Sequence, residues 1–361
     1  MRCIVLLGKT STQAIDARIE PVDKRRITIN DIAAHAGVSR STVSLVLQKH
    51  PRIPEETGEK VRQSMAALGY TYNRNAANLR RRTSQAIGLV INDIRNPFFA
   101  ELTSAVEERA AEAGYMVYLV ESAEQPSRQD RLLESFVEHD VAGLIVCAAT
   151  GTPPHAFERF AAKGIPVCMA VRPYPDPGLD YAGSDNYGGA HMATQHLIDL
   201  GHRRIAFLGG ERENPVRVDR LAGYFSALDA RGIAFDPALV VESRPSLTSG
   251  VADVHTVMRL DVRPTAMLCY NDFVAMGVMH ALRGAGLIPG EDIAVVGFDG
   301  MPETEITHPP LSTVQLYGRK VGSDAAELLI ARIADPARPP ARRIEQATLL
   351  VRASSGEARS V

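Results

Sequence analysis

Apolar positions along this chain recur with two different periods, and the change between them divides it. From Thr28 to Gln48 the sequence TINDIAAHAGVSRSTVSLVLQ keeps a helical period. Ile32, Ala33 and Ala36 share one face, and Val43 with Leu45 to Leu47 supplies a second apolar set. Thr28 and Asp31 have capping-box spacing, so a helix should open after Thr28; Gly37 should stop it. Ser39 should cap a second helix beginning at Arg40. A third is predicted in PEETGEKVRQSMAALGY, with acids in its first turn and Gly69 at its end. Val61, Met65 and Leu68 keep the spacing needed to close a three-helix core. Two short helices joined by a Gly-Val-Ser turn form the helix-turn-helix pattern, whose second helix enters a DNA major groove.

From Ile87 the pattern changes to short β-rich runs alternating with helical stretches. IGLVI precedes a predicted helix over 98–113, YMVYLV one over 128–139, GLIV one ahead of Gly164, and IPVCMA closes the series. A second series runs through a helix over 187–200, RIAFLGG, helices over 220–230 and 248–259, TAMLCY, a helix over 272–286 and DIAVVGFD. A last helix over 318–333 and strands between 343 and 351 complete it. Such alternation in two blocks predicts two doubly wound α/β subdomains with parallel sheets. Ligands in such folds bind beyond the carboxyl ends of the strands, so a cleft between the lobes is the expected site.

The residues just past those strand ends are polar amides, carboxylates and aromatics: Asp93 to Phe99 (DIRNPFF), Asn271 with Asp272, and Asp299. That mixture suits a polyhydroxylated ligand, which needs hydrogen bonds at its hydroxyls and a flat apolar surface for its C–H face. Arg220, opening RLAGY, adds a fork of donors. The same residues admit a plainer reading, with Asn96, Asn271 and Asp272 as helix caps and Phe98 and Phe99 as core. For Asp272 the cap is preferred.

Between the two regions stands NRNAANLRRRTSQAIGLVI. The order helix-turn-helix, third helix, Asn-Arg-x-x-Ala-x-x-Leu and Ile-Gly-Leu-Val-Ile closely resembles the lac-repressor (LacI/GalR) family of transcription regulators, from about Arg26 to Ser355. The resemblance implies an α/β protein with an N-terminal all-α helix-turn-helix headpiece (27–72) and a hinge segment (73–86). It also implies a periplasmic-binding-protein-like core (87–361) of two doubly wound parallel-sheet subdomains, the first about 87–186 and 316–345, the second about 187–315 and 346–361. It implies base readout by Arg40, Ser41, Ser44 and Leu45, although Leu45 could equally pack. The hinge would place Asn73, Ala76 and a wedging Leu79 at the minor groove, with Arg74, Arg80, Arg81 and Arg82 neutralising phosphates. Effector contacts would come from Phe98, Phe99, Arg172, Arg220, Asn271 and Asp299. Two departures stand out: where relatives often carry a carboxylate this chain has Ala170, and a common stacking aromatic falls near Pro245. Arg172 with Arg220 therefore raises the expectation of a sugar acid or sugar phosphate beside plain sugars.

Charge agrees with this division. Residues 24–82 hold 12 Lys and Arg against 4 Asp and Glu, leaving 28 against 38 for the rest of a chain whose net charge is -2. The basic end is the nucleic-acid candidate. Cys3, Cys147, Cys168 and Cys269 show no metal or redox spacing, and no metal or cofactor is expected. No apolar run approaches the roughly 18 residues of a membrane span, and MRCIVLLGK is too short for a secretory core, so a cytoplasmic protein is expected. Residues 1–26 fit no family position and are expected to be a disordered extension, with Val22 near a family-like start. A solute-binding protein feeding a transporter would share the core but not the headpiece. No P-loop, G-x-S-x-G elbow or HExxH motif suggests an enzyme. The polar tail lacks the leucine heptads of a tetramer, so a homodimer on a near-palindromic operator is expected.

Overall fold

The computed structural model describes residues 27–47, 50–70 and 84–356. The chain divides into two compact units, one ending at Arg81 and one beginning at Arg82. In the first, α1 (Ile29–Ala36), α2 (Arg40–Leu47) and α3 (Glu55–Ala67) enclose Ile32, Ala33, Val43 and Val61, with Met65 and Leu68 packed against them. The Thr28–Asp31 capping box is complete, Gly37 takes the left-handed conformation at φ 64°, and the Ser39 hydroxyl accepts the Thr42 N–H at 3.1 Å. Tertiary packing is what holds helices this short.

The second unit contains two six-stranded sheets. The first lobe is built from β1 (Ala86–Ile91), α4 (Pro97–Glu112), β2 (Met116–Glu121), α5 (Pro126–Glu138), β3 (Gly143–Val146), α6 (Glu158–Ala161), β4 (Val167–Ala170) and β5 (Asp180–Ser184). The second holds α7 (Asn186–Asp199), β6 (Ile205–Leu208), α8 (Pro215–Ala230), β7 (Val240–Val241), α9 (Leu247–Val257), β8 (Ala266–Cys269), α10 (Asp272–Gly284), β9 (Ala294–Asp299) and β10 (Ser312–Gln315). The chain then returns through α11 (Gly318–Ala334) and β11 (Arg342–Glu345) to the first lobe and ends in the second with β12 (Thr348–Leu350). The strand orders are β11-β5-β4-β3-β1-β2 and β12-β10-β9-β8-β6-β7. The pairings between these strands are parallel, as expected, except that of β10 with β12, which gives the second sheet one antiparallel edge.

The central strands of each sheet are buried on both faces, as alternation along single strands shows. Ile87, Leu89 and Ile91 enter the cluster shared with α4 and α11, whereas Ala86 and Val90 enter the one containing Leu133 and Phe136 of α5. In β6, Ile205 and Phe207 face one cluster and Ala206 and Leu208 another. Helix contacts are close: a Cβ on Gly223 of α8 would lie 2.2 Å from the carbonyl oxygen of Tyr187, so only glycine permits the α7–α8 packing.

Both lobes use the same local device beside the cleft. Asn96 and Asn214 each precede a proline at the first helical position, and each side chain accepts the N–H two residues on, at 2.9 and 3.0 Å. This sets the start of α4 and α8 next to the strand ends.

Candidate functional site

On the headpiece, Arg40 and Ser41 are exposed at the start of α2, and Ser44 and Leu45 follow one turn later, on the same side, both half-buried. Val46 and Leu47, rather than Leu45, are the residues of this turn that pack on the headpiece core. The Ser41 hydroxyl lies 2.6 Å from that of Ser39. The arrangement presents a donor-rich helix end of the kind that reads base edges. Asn73, Arg74, Ala76, Leu79, Arg80, Arg81 and Arg82 lie outside the described residues.

The second unit holds a cleft of about 600 Å³ lined from both lobes. At its centre Arg220, almost wholly buried, rises from α8. Its Nε donates to Asn186 Oδ1 at 2.9 Å, one amino group donates to the Tyr270 carbonyl, and the other pairs with Asp299 Oδ1 at 3.3 Å. The guanidinium lies 3.7 Å from the ring centre of Phe298. Asp299 in turn accepts from Asn96 Nδ2 at 3.2 Å, a hydrogen bond that crosses from the second lobe to the first. Burial raises the Asp299 carboxyl above its ordinary range, against the pull of the Arg220 charge. Phe98 and Phe99 are mostly buried, meet edge to face at 5.6 Å, and line the same cleft.

The first lobe supplies a second pair, of buried Arg172 and half-buried Glu124. Arg172 clasps Glu124 with both amino groups, one at 2.8 Å, and also donates to the Ala148 carbonyl at 2.9 Å. Burial opposes the charge on Glu124, yet the hydrogen bonds and charge of Arg172 hold its carboxyl below the usual range. Nearer the mouth, Arg95 pairs with Asp93 at 2.8 Å and Arg244 with Glu211 at 3.3 Å. Each arginine among the described lining residues therefore faces a carboxylate. The Arg172 and Arg220 charges that raised the expectation of an acidic or phosphorylated ligand are thus both paired within the protein.

Two further readings change. Asn271, not Asp272, caps α10, its Oδ1 accepting the Val274 N–H at 3.1 Å. Asp272 points inward, accepting from Thr313 Oγ1 at 2.6 Å and the Met301 N–H at 2.8 Å; burial and the neighbouring Asp299 push its carboxyl up to about 8. Ala170 belongs to the buried core, and the chain turns at Val171 (φ 66°), so Val171 and Arg172 are the β4-end residues that reach the cleft. Pro245 does line it. Sequence reasoning missed Asn92 and Glu124, and put Asn186 at the crossover between the lobes without assigning it to the cleft; all stand at or just past strand ends, and applying the strand-end rule at β2 and β5 would have found the last two.

These features define a two-lobed ligand-binding unit following a helix-turn-helix headpiece. The sequence model described as bacterial regulatory proteins, lacI family, matches residues 28–73, and that of periplasmic binding proteins and sugar binding domain of LacI family matches residues 84–353. The HTH-type transcriptional regulator DegA of Bacillus subtilis (strain 168) is 32% identical over 303 residues, 83% of this chain and 89% of that one. The maltose regulon regulatory protein MalI of Escherichia coli (strain K12) is 32% identical over 318 residues, 86% and 93% of the two chains. The lac repressor dimer bound to operator and the anti-inducer ONPF has a TM-score of 0.82 and 27% identity, over 92% of this chain and 99% of that one. A CelR–cellobiose complex has a TM-score of 0.69 and 29% identity, over 91% and 100%. The chain belongs to the LacI family of DNA-binding transcriptional regulators. No helix among the described residues is long and apolar enough to cross a membrane.

Proposed function

We propose that this regulator binds a near-palindromic operator as a homodimer in the cytoplasm and that a sugar or sugar derivative held in the interlobe cleft sets its affinity for DNA. The observation that carries the reading is the chain of bonds from Asn186 through Arg220 and Asp299 to Asn96, which spans both lobes at the cleft centre. A ligand hydroxyl competing for these groups alters contacts in both lobes at once, which is the differential interaction that an allosteric shift requires. Phe98 and Phe99 offer the apolar surface, and Arg172 and Asn271 flank it.

In this reading residues 27–72 are the DNA-binding domain, 73–86 the hinge and 87–361 the effector-binding and dimerisation core. Arg40, Ser41, Ser44 and Leu45 face base edges; Leu79 wedges the minor groove beside Asn73 and Ala76, and Arg74 with Arg80 to Arg82 neutralises phosphates. The test is a titration of the purified protein against a pool of random duplexes, then against the selected site with and without sugars that raise its melting temperature. A palindromic selected site whose affinity shifts with such a sugar supports the reading. Selection of no site, or an affinity that ignores every stabilising sugar, refutes it.

A further inference from the structure

At the first-lobe end of the cleft, Glu124 occupies both amino groups of Arg172. We propose that Glu124 is a specificity-determining residue: by occupying Arg172 it leaves this end of the cleft without an unpaired cation, so that the effector is a neutral polyhydroxylated molecule rather than a sugar acid or sugar phosphate.

The donors of Arg172 face Glu124, the Ala148 carbonyl and Thr150 Oγ1. Thr150 turns its N–H to the same carboxylate at 3.1 Å. Beside them Asn92, 2% exposed, is a residue of the cleft wall that gives its Nδ2 to the Ala148 carbonyl at 3.5 Å, while its Oδ1 is buried without a hydrogen-bond partner. A carboxylate or phosphate dianion brings only acceptors and finds Arg172 already paired with Glu124, whereas a ligand hydroxyl can donate as well as accept. The loop that carries Glu124 is held in a costly form, with Ala123 at φ 52° and Glu124 at φ 58°, and Val171 before Arg172 stands at φ 66°. Backbone strain of this kind persists where surrounding contacts require it, and here those contacts are the ion pair.

The inference rests on the cleft being the effector site, and the test separates the two. Melting temperatures are measured for the full chain and for Glu124→Gln with glucose, cellobiose, gluconate and glucose 6-phosphate. Glutamine keeps the shape and an oxygen for Arg172 but removes the opposing charge. The wild type should ignore both anions, and Glu124→Gln should bind at least one of them about ten-fold or more tightly than the wild type does. Glu124→Gln with Arg172→Gln should lose that gain. A loss of packing cannot produce a new anion response, so the gain does not depend on the variant matching wild-type stability. A wild type that binds either anion more tightly than the neutral sugars overturns the charge assignment while leaving the cleft as the site. So does a folded Glu124→Gln protein that gains no anion response. Silence of both proteins towards all four compounds in the presence of selected operator counts against the site itself, and the proposal falls with it.

Discussion

Arg220→Met is the most informative single change in the second unit. Methionine preserves the apolar stem that lies against Phe298 but removes the donors to Asn186, the Tyr270 carbonyl and Asp299. Asp299 is 9% exposed and would be left as a buried carboxylate with only Asn96 as its hydrogen-bonding partner among these groups. Removing one member of a buried pair costs about 3–5 kcal/mol, and leaving neutral acceptors without a charged donor adds to that within the same range, since such terms overlap. For a unit of this size the loss corresponds to a fall of roughly 10 °C in melting temperature. Because the chain has no Trp, far-UV circular dichroism in urea is the suitable assay. Without the Arg220 cation the Asp299 carboxyl rises further, so the variant's deficit should shrink as pH falls. Adding Asp299→Asn should recover roughly half of the loss, because an amide is less costly to bury than an unpaired charge. A single variant within about 1 kcal/mol of the wild type at neutral pH would refute the reasoning.

Two other predictions concern separate parts of the molecule. Arg40→Ala should weaken operator binding by about 1–3 kcal/mol and relax preference at one base position; unchanged base preference in a selection experiment would remove Arg40 from the readout. Asp272, whose carboxyl is held at about 8 against 3.8 for a free side chain, keeps a proton in the folded state that the unfolded chain releases. Its contribution to stability is therefore complete at low pH and is lost as pH rises towards 8, with a slope of up to about 1.4 kcal/mol per pH unit. Asp272→Asn should flatten that part of the stability curve, and an unchanged slope would show that Asp272 ionises normally in its pocket.

Much of the fold was readable because its determinants are local. The Thr28 capping box, Gly37, Ser39 and the apolar strand runs each act within a few residues. What escaped was set by distant neighbours. LDYAGS has little strand character, yet Asp180–Ser184 is a strand because β4 and β11 bond to either side of it. Asn271 and Asp272 are adjacent, and either could cap a helix; position relative to Met301 and Thr313, 29 and 41 residues from Asp272, decides which one turns inward. The cleft residues Phe98, Phe99, Arg172, Arg220, Asn271 and Asp299 are brought together as the strand ends suggested. Their electrostatics was not readable, because it depends on Glu124 and Asp299 standing opposite particular arginines. The turn at Val171 likewise moved the cleft-facing position one residue beyond Ala170.

The order in which the sheets acquire their strands has a consequence for synthesis. The first lobe contains all of β1 to β5 by Ser184, but α11 and β11, which pack on it, are made only after β6 to β10. The second lobe waits for β12, near the end of the chain. A ribosome therefore completes the two lobes only one strand apart, late in synthesis, while the headpiece, with its local contacts, can close on itself almost at once. A chain cut short within α11 loses the outer strand of each sheet, so an early stop yields no free effector-binding fragment and leaves a folded headpiece without its control.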